Sequence, residues 1–140
     1  MGIPSRLAAS SYFNSSVAIS VTAKGRAQAT VVSTAVLDGK VGFASRGYTV
    51  KVKNIERTGR ATVTVIKLDT RRYVTVEGPA SVEPWQDTKE HIKRLKELYV
   101  AMGRAPKGTD EEFAQQMRNE ERNLVLVAPE SLYGSLRAGA

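Results

Sequence analysis

Between Thr49 and Arg60 the chain sets a hydroxyl, an amide and several cations at spacings that could hold an anion. The segment reads Thr-Val-Lys-Val-Lys-Asn-Ile-Glu-Arg-Thr-Gly-Arg. Thr49 is an expected N-cap, Val52 and Ile55 lie three apart and can face a core, and Gly59 is the expected left-handed stop. These signals predict one short helix, with Lys53 and Arg57 on one polar face and Lys51 and Asn54 on another. A helix start with unpaired backbone N–H groups, a hydroxyl and a nearby lysine suits an anion, most readily a phosphate. The same residues suit an exposed helix of a basic protein, so spacing alone leaves both readings open.

The flanking segments that must position this helix read as strands. Val17 to Thr22 alternates, Ala23-Lys24-Gly25-Arg26 predicts a tight hairpin, and Gln28 to Leu37 predicts a second strand. Asp38-Gly39 is the strongest hairpin signal, and Val41 to Ser45 returns as a third strand. After the helix come strands at Arg60 to Leu68 and Tyr73 to Val82, joined by a turn at Asp69-Thr70-Arg71. Asn123 to Ala128 is a continuous apolar run, predicting a strand buried on both sides. Two amphipathic helices are predicted, over Asp87 to Met102 and from Thr109 to about Arg118, and Pro129 to Tyr133 is read as a turn. A strand meander, one helix and a second meander make a small antiparallel barrel pattern.

The whole chain, 140 residues with 41% hydrophobic and 25% charged, has the make-up of one globular domain. It has no cysteine, which excludes disulfides, thiolate metal sites and a cysteine nucleophile. No apolar stretch is long enough to span a bilayer and no signal pattern opens the chain, so a cytoplasmic protein is expected. Twenty-one Lys and Arg against 14 Asp and Glu give a net charge of +7, which favours an anionic partner. His91, the only histidine, is expected at the surface or boundary, and no metal site is expected. Glu111-Glu112 and Glu120-Glu121 are read as solvated helix-end charges. Aromatic residues are 6% of the chain and do not interleave with the basic ones, which disfavours a nucleic-acid-binding barrel.

Thr49, Lys51, Lys53, Asn54, Ile55 and Arg60 together resemble the phosphate-binding turn and helix of the pyridoxamine 5'-phosphate oxidase-like split β-barrels. The nearest branch is the actinobacterial one that uses the deazaflavin coenzyme F420. Thr58-Gly59 stands where that branch usually has Asp-Pro. The resemblance extends over Val36-Leu37-Asp38-Gly39 and Val76-Glu77-Gly78-Pro79-Ala80, from about Val17 to about Leu132-Tyr133-Gly134. It implies a mainly β (α+β) fold of the FMN-binding split-barrel type, a six-stranded antiparallel barrel with two or three peripheral helices. Residues 1–16 would be an N-terminal arm or short helix and 17–140 the single barrel domain.

The resemblance also implies an oxidoreductase that transfers hydride from deazaflavin to an unsaturated or conjugated organic substrate, working as a homodimer with sites at the subunit interface. FMN is the alternative cofactor, with oxidase or reductase chemistry, and a non-enzymatic cofactor-binding protein is the alternative role. Lys51 and Thr49 would hold the cofactor phosphate, with Lys53, Asn54, Arg57 and Arg60 adding polar or cationic contacts. Val32, Ser33, Thr34 and Ser45 would border the ring, although many relatives have Pro and an aromatic residue where this chain has Val32 and Thr34. Arg71, Arg72, Trp85 and Tyr133 would face substrate or the partner chain. No catalytic side chain is identified.

Overall fold

β-Branched residues recur in several strands of the computed structural model, which describes residues 16–67, 69–104 and 106–135. β1 (Ser16–Val21), β2 (Ala27–Val32), β3 (Ala35–Leu37) and β4 (Lys40–Arg46) come first, followed by helix α1 (Val50–Thr58). β5 (Arg60–Lys67) and β6 (Arg72–Glu83) lead to α2 (Lys89–Ala101) and α3 (Asp110–Glu120). β7 (Arg122–Val127) and β8 (Ser131–Gly134) complete the order. All pairings are antiparallel, in the order β2-β1-β5-β6-β7-β4-β3, with β8 added beside β6. The path ends at β2 and β3 without closing, which is the split barrel that the sequence led one to expect. Among the described residues no helix is long and apolar enough to cross a membrane.

β6 belongs to both halves of the sheet. Up to Pro79 it pairs with β5, and from Ala80 to Glu83 it pairs with β7. Gly78 stands at the changeover, where any Cβ would lie 1.9 Å from the Ala128 carbonyl oxygen.

Two apolar clusters hold the layers together. Phe43, Val63, Val65, Val76 and Val125 fill the barrel, and Ile55 of α1 closes one end. Leu95 and Leu98 of α2 and Phe113 and Met117 of α3 pack with Ala35, Leu124 and Leu126 on the other side of the sheet. β7 therefore sends Val125 and Val127 one way and Leu124 and Leu126 the other. Burial on both faces removes the need for alternation, as its continuous apolar run foretold.

Several boundaries differ from expectation. Eight strands form where six were expected. The stretch Gln28 to Leu37, read as one strand, breaks at Ser33-Thr34 because β2 pairs with β1 whereas β3 pairs with β4. Thr34 is fully buried at that break, its hydroxyl 2.8 Å from that of Ser16. Ser131–Gly134, read as part of a turn, instead pairs with β6. α2 begins at Lys89 because Thr88 caps it, accepting the His91 N–H, and α3 continues past Arg118 to Glu120. The hairpin at Asp38-Gly39 has positive φ at both residues, 56° and 72°, as a primed turn requires. Of the arm expected over residues 1–16, only Ser16 lies among the described residues, and it begins β1.

Candidate functional site

The start of α1 is aimed by a turn that β7 holds from beneath. Asn123 is buried and donates its side-chain amide to the Ser45 carbonyl, at 3.2 Å, and to the Gly47 carbonyl. Its own oxygen accepts the Trp85 N–H at 3.0 Å, and the Gly47 N–H donates to the Glu121 carbonyl at 3.1 Å. At the far end Gly59 stops the helix with φ of 67° and donates its N–H to the Ile55 carbonyl. Thr49 occupies the expected N-cap position, but its side chain makes no cap hydrogen bond and lies 3.2 Å from the Ser45 hydroxyl. The first turn contains no acidic residue, so its orphan amides and dipole are left for water or an anion.

Those amides border a hollow of about 330 Å³. Val31, Val32 and Ser33 form one wall at the exit of β2, and Ala44, Ser45 and Arg46 form another at the end of β4. Thr49 and Lys51 come from α1, Tyr99, Met102 and Arg104 from α2 and the segment after it, and Arg122 from β7. Arg46 and Arg122 stand directly opposite each other in the β4–β7 ladder. Like charges in that position repel, and Glu120 sits between them, accepting from Arg46 at 2.9 Å and from Arg122 at 2.7 Å. Burial alone would raise the Glu120 carboxyl, but hydrogen bonds from Arg122, Gln116 and Arg46 outweigh it and hold the group below its ordinary value.

Lys51 and Arg104 have no ion pair among the described residues. Burial and the neighbouring Arg122 charge push the Lys51 ammonium below the usual lysine range. An anion in the hollow would relieve that second cause. Burial keeps the Tyr99 phenol above its ordinary value, so it is a neutral hydrogen-bond donor at neutral pH.

Of the site residues expected from sequence, the hollow brings together Val32, Ser33, Ser45, Thr49 and Lys51. The others lie elsewhere. Thr34 is turned into the protein against Ser16, and Asn54 is buried, donating to the Ser20 hydroxyl at 3.2 Å. Lys53 sits over the Tyr48 ring, 5.6 Å from its centroid, and Arg57 donates to the Val21 carbonyl. Arg60 pairs with Glu77 at 2.6 Å and Glu130 at 3.0 Å. Arg71 and Arg72 lie at the turn into β6, Tyr133 is exposed on β8, and Trp85 meets His91 edge-on with ring centroids 5.5 Å apart.

His91, expected at the surface or boundary, is instead buried, its Nε2 2.9 Å from the Arg122 carbonyl oxygen. Nor is Glu120 a solvated helix-end charge, since its side chain is 13% exposed between two arginines. The sequence reading missed Arg46, Tyr99, Met102, Arg104 and Arg122 as walls of the hollow, and Asn123 as the residue that aims its α1 side. The adjacency of Arg46 to Ser45 was the one local signal. The rest depends on how β7 and α2 come to lie against β4.

An unclosed antiparallel sheet of this order with three peripheral helices defines a split-barrel protein. The chain belongs to the pyridoxamine 5'-phosphate oxidase family, whose sequence pattern matches residues 10–135. No curated protein sequence compared with it matches. Among solved structures it is similar to a conserved hypothetical protein from Mycobacterium tuberculosis, at 19% identity and a TM-score of 0.68, over 86% of this chain and 76% of that one. It is similar to a protein described as an F420 reductase, at 17% identity and a TM-score of 0.66, over 94% and 98% of the two chains. A pyridoxamine 5'-phosphate oxidase-related, FMN-binding protein from Nostoc punctiforme matches at 14% identity and a TM-score of 0.63, over 88% and 75%. At these identities the likeness is one of fold.

Proposed function

We propose that the chain is a deazaflavin (coenzyme F420)-dependent oxidoreductase that reduces an unsaturated or conjugated organic acceptor. The observation that carries this reading is the uncapped start of α1 beside Lys51, a half-buried ammonium with no carboxylate partner among the described residues. The residues present fit a cofactor phosphate. Lys51, the Thr49 and Ser45 hydroxyls and the first-turn amides would hold it, while Val32 and Ser33 would border the ring. The chemistry supplied by a bound reduced deazaflavin is hydride donation to one carbon of the acceptor, with a proton from solvent joining the other. The protein's own part is binding, orientation and the exclusion of water by Val31, Val32, Tyr99 and Met102. Arg46, which lines the hollow with Lys51 and whose side chain is 65% exposed, offers a further cation for an acidic cofactor tail, which favours deazaflavin over FMN.

A homodimer goes with this reading. Strand register places Val31, Val17, Thr64, Thr75 and Tyr133 in one row across β2, β1, β5, β6 and β8. That row holds no charge, and its ends are open, Val31 being 82% and Tyr133 59% exposed. A second copy seated there would reach Val31 and thereby the wall of the hollow. At about 330 Å³ the hollow is at the small end for a cofactor site, which suits completion by a partner.

The test is an absorbance spectrum of the purified protein followed by fluorescence titration with coenzyme F420 and, separately, FMN. Tighter deazaflavin binding is expected. Preference for FMN would retain the site and change the chemistry to that of a flavoprotein. Binding of neither would sink the cofactor reading.

A further inference from the structure

We propose that the hollow contains a second anion subsite, formed by Arg104 and Arg122 beside the Tyr99 hydroxyl, that takes a carboxylate carried by the acceptor. This rests on the cofactor reading above. The first argument is the charge balance. Lys51, Arg46, Arg104 and Arg122 all line the hollow, and among the described residues Glu120 is the one carboxylate paired with any of them. A phosphate held at Lys51 leaves the opposite wall uncompensated.

The second argument is the arrangement of those cations. Lys51 enters the hollow from α1 and Arg122 from β7, whereas Tyr99 and Arg104 come from α2 and the segment after it. Burial raises the Tyr99 phenol, and the Arg122 and Arg104 charges both oppose that rise. The hollow thus takes its positive charge from different elements, Lys51 on the α1 side and Arg104 on the α2 side, with Arg122 contributed by β7. Arg122 is held in place by Nε donation to Glu120 at 2.7 Å and by Nη1 donation to the Ala44 carbonyl at 3.4 Å. Arg104 has its backbone N–H tied to the Tyr99 carbonyl at 2.9 Å, while no ion pair claims its guanidinium among the described residues.

The third argument is chemical fit. A planar guanidinium matches the two oxygens of a carboxylate, and a phenol that stays protonated adds a neutral donor. Met102 and Tyr99 offer an apolar surface for the body of a flat conjugated molecule beside that carboxylate. A carboxylate on the acceptor and one on the acidic tail of the cofactor share this chemistry, and a paired-probe experiment separates them.

The protein, loaded with whichever cofactor it binds, is titrated calorimetrically with trans-cinnamate and with its neutral amide, trans-cinnamamide. The carboxylate is expected to bind about tenfold more tightly, the worth of one charge-assisted contact. In the Arg104→Gln variant, whose substitution is at an exposed position, that ratio should fall to near one while cofactor affinity stays unchanged. A ratio near one in the unaltered protein overturns the proposal, as does binding of neither probe. So does an Arg104→Gln variant that loses cofactor affinity as strongly as it loses cinnamate, because the arginine then serves the cofactor's tail. If neither cofactor binds at all, the preceding reading fails by itself. The same probe ratio, measured on the free protein, then decides the subsite independently.

Discussion

The groove between α2 and α3 encloses about 510 Å³, more than the roughly 330 Å³ beside α1, yet the two differ in how many carboxylates accompany their cations. In the groove three carboxylates, Asp87, Asp110 and Glu111, stand among four cations, of which Lys89 and Lys93 make no ion pair among the described residues. Lys96 pairs with Asp110, and Arg118 bridges Asp87 at 3.0 Å and Glu111 at 3.1 Å over a floor of Ile92, Phe113 and Ala114. Around the hollow no carboxylate lines the walls beside four cations: Arg46 and Arg122 share Glu120, and Lys51 and Arg104 have no ion pair among the described residues. Exposed pairs contribute little to stability and cancel each other's field at a distance. Uncompensated cations on low-dielectric walls focus a field and raise the local concentration of an anion. Volume alone would choose the groove; the imbalance of charge chooses the hollow.

The contrast is sharpest for substitutions that remove one ammonium from each place. Lys51→Met should weaken cofactor binding by roughly 1.5 to 3 kcal/mol, the loss of a charge-assisted contact. Lys96→Met, in the groove, should leave cofactor affinity within about twofold, since its charge is already paired and exposed. Equal losses in the two variants would mean that overall charge, and not the place of the lysine, governs binding. Parallel titrations decide this.

A second substitution separates the two faces of α1. Asn54→Ala breaks the chain in which Asn54 donates to Ser20 and Ser20 donates to Gln28, both at 3.2 Å. The buried Ser20 hydroxyl would lose its donor, at a cost of about 1 to 3 kcal/mol in chemical denaturation. Cofactor affinity per folded molecule should stay the same. A variant that kept full stability but lost the cofactor would place Asn54 in the site after all.

A smaller effect than at Lys51 or Asn54 is expected at Glu120. Replacing it by Gln removes the one carboxylate shared by Arg46 and Arg122, which should tighten anion binding a few-fold and cost about 1 kcal/mol of stability at neutral pH. The pH dependence has a definite sign. Because the folded protein holds the Glu120 carboxyl below its ordinary value, its contribution is complete above the unfolded carboxylate value of about 4.3 and fades as the pH falls through the lower folded one. Unfolding curves of Glu120→Gln and the unaltered protein should therefore converge in acid. A gap that stays constant with pH would show that Glu120 matters through packing instead.

What the sequence made legible follows from how local each interaction is. The span of α1 could be read because Val52, Ile55 and Gly59 act within two turns, and the Asp38-Gly39 hairpin because two residues suffice for it. β7 could be read as doubly buried because its composition records both neighbours. The fates of the α1 cations could not. Arg60 meets Glu130, 70 positions away, and Arg57 meets the Val21 carbonyl across 36 positions, so their charge was visible but not its use. Likewise the Glu90 and Ile92 neighbours of His91 gave no hint of a carbonyl 31 positions on. The hollow is the extreme case, because its walls come from β2, β4, α1, α2 and β7, and register alone sets Arg46 against Arg122.

The sharing of β6 between the two halves of the sheet has a consequence for how the molecule opens. The strand pairs with β5 through Pro79 and with β7 from Ala80 onward, so one continuous backbone carries the ladders of both halves. Gly78 lets the Ala128 carbonyl lie so close there that the two halves have little room to slip apart. Local fluctuations should therefore stop at β6, and its amides should exchange with solvent deuterium only through global unfolding. Its two ends should then show the same slowest exchange rate, as parts of one cooperative unit.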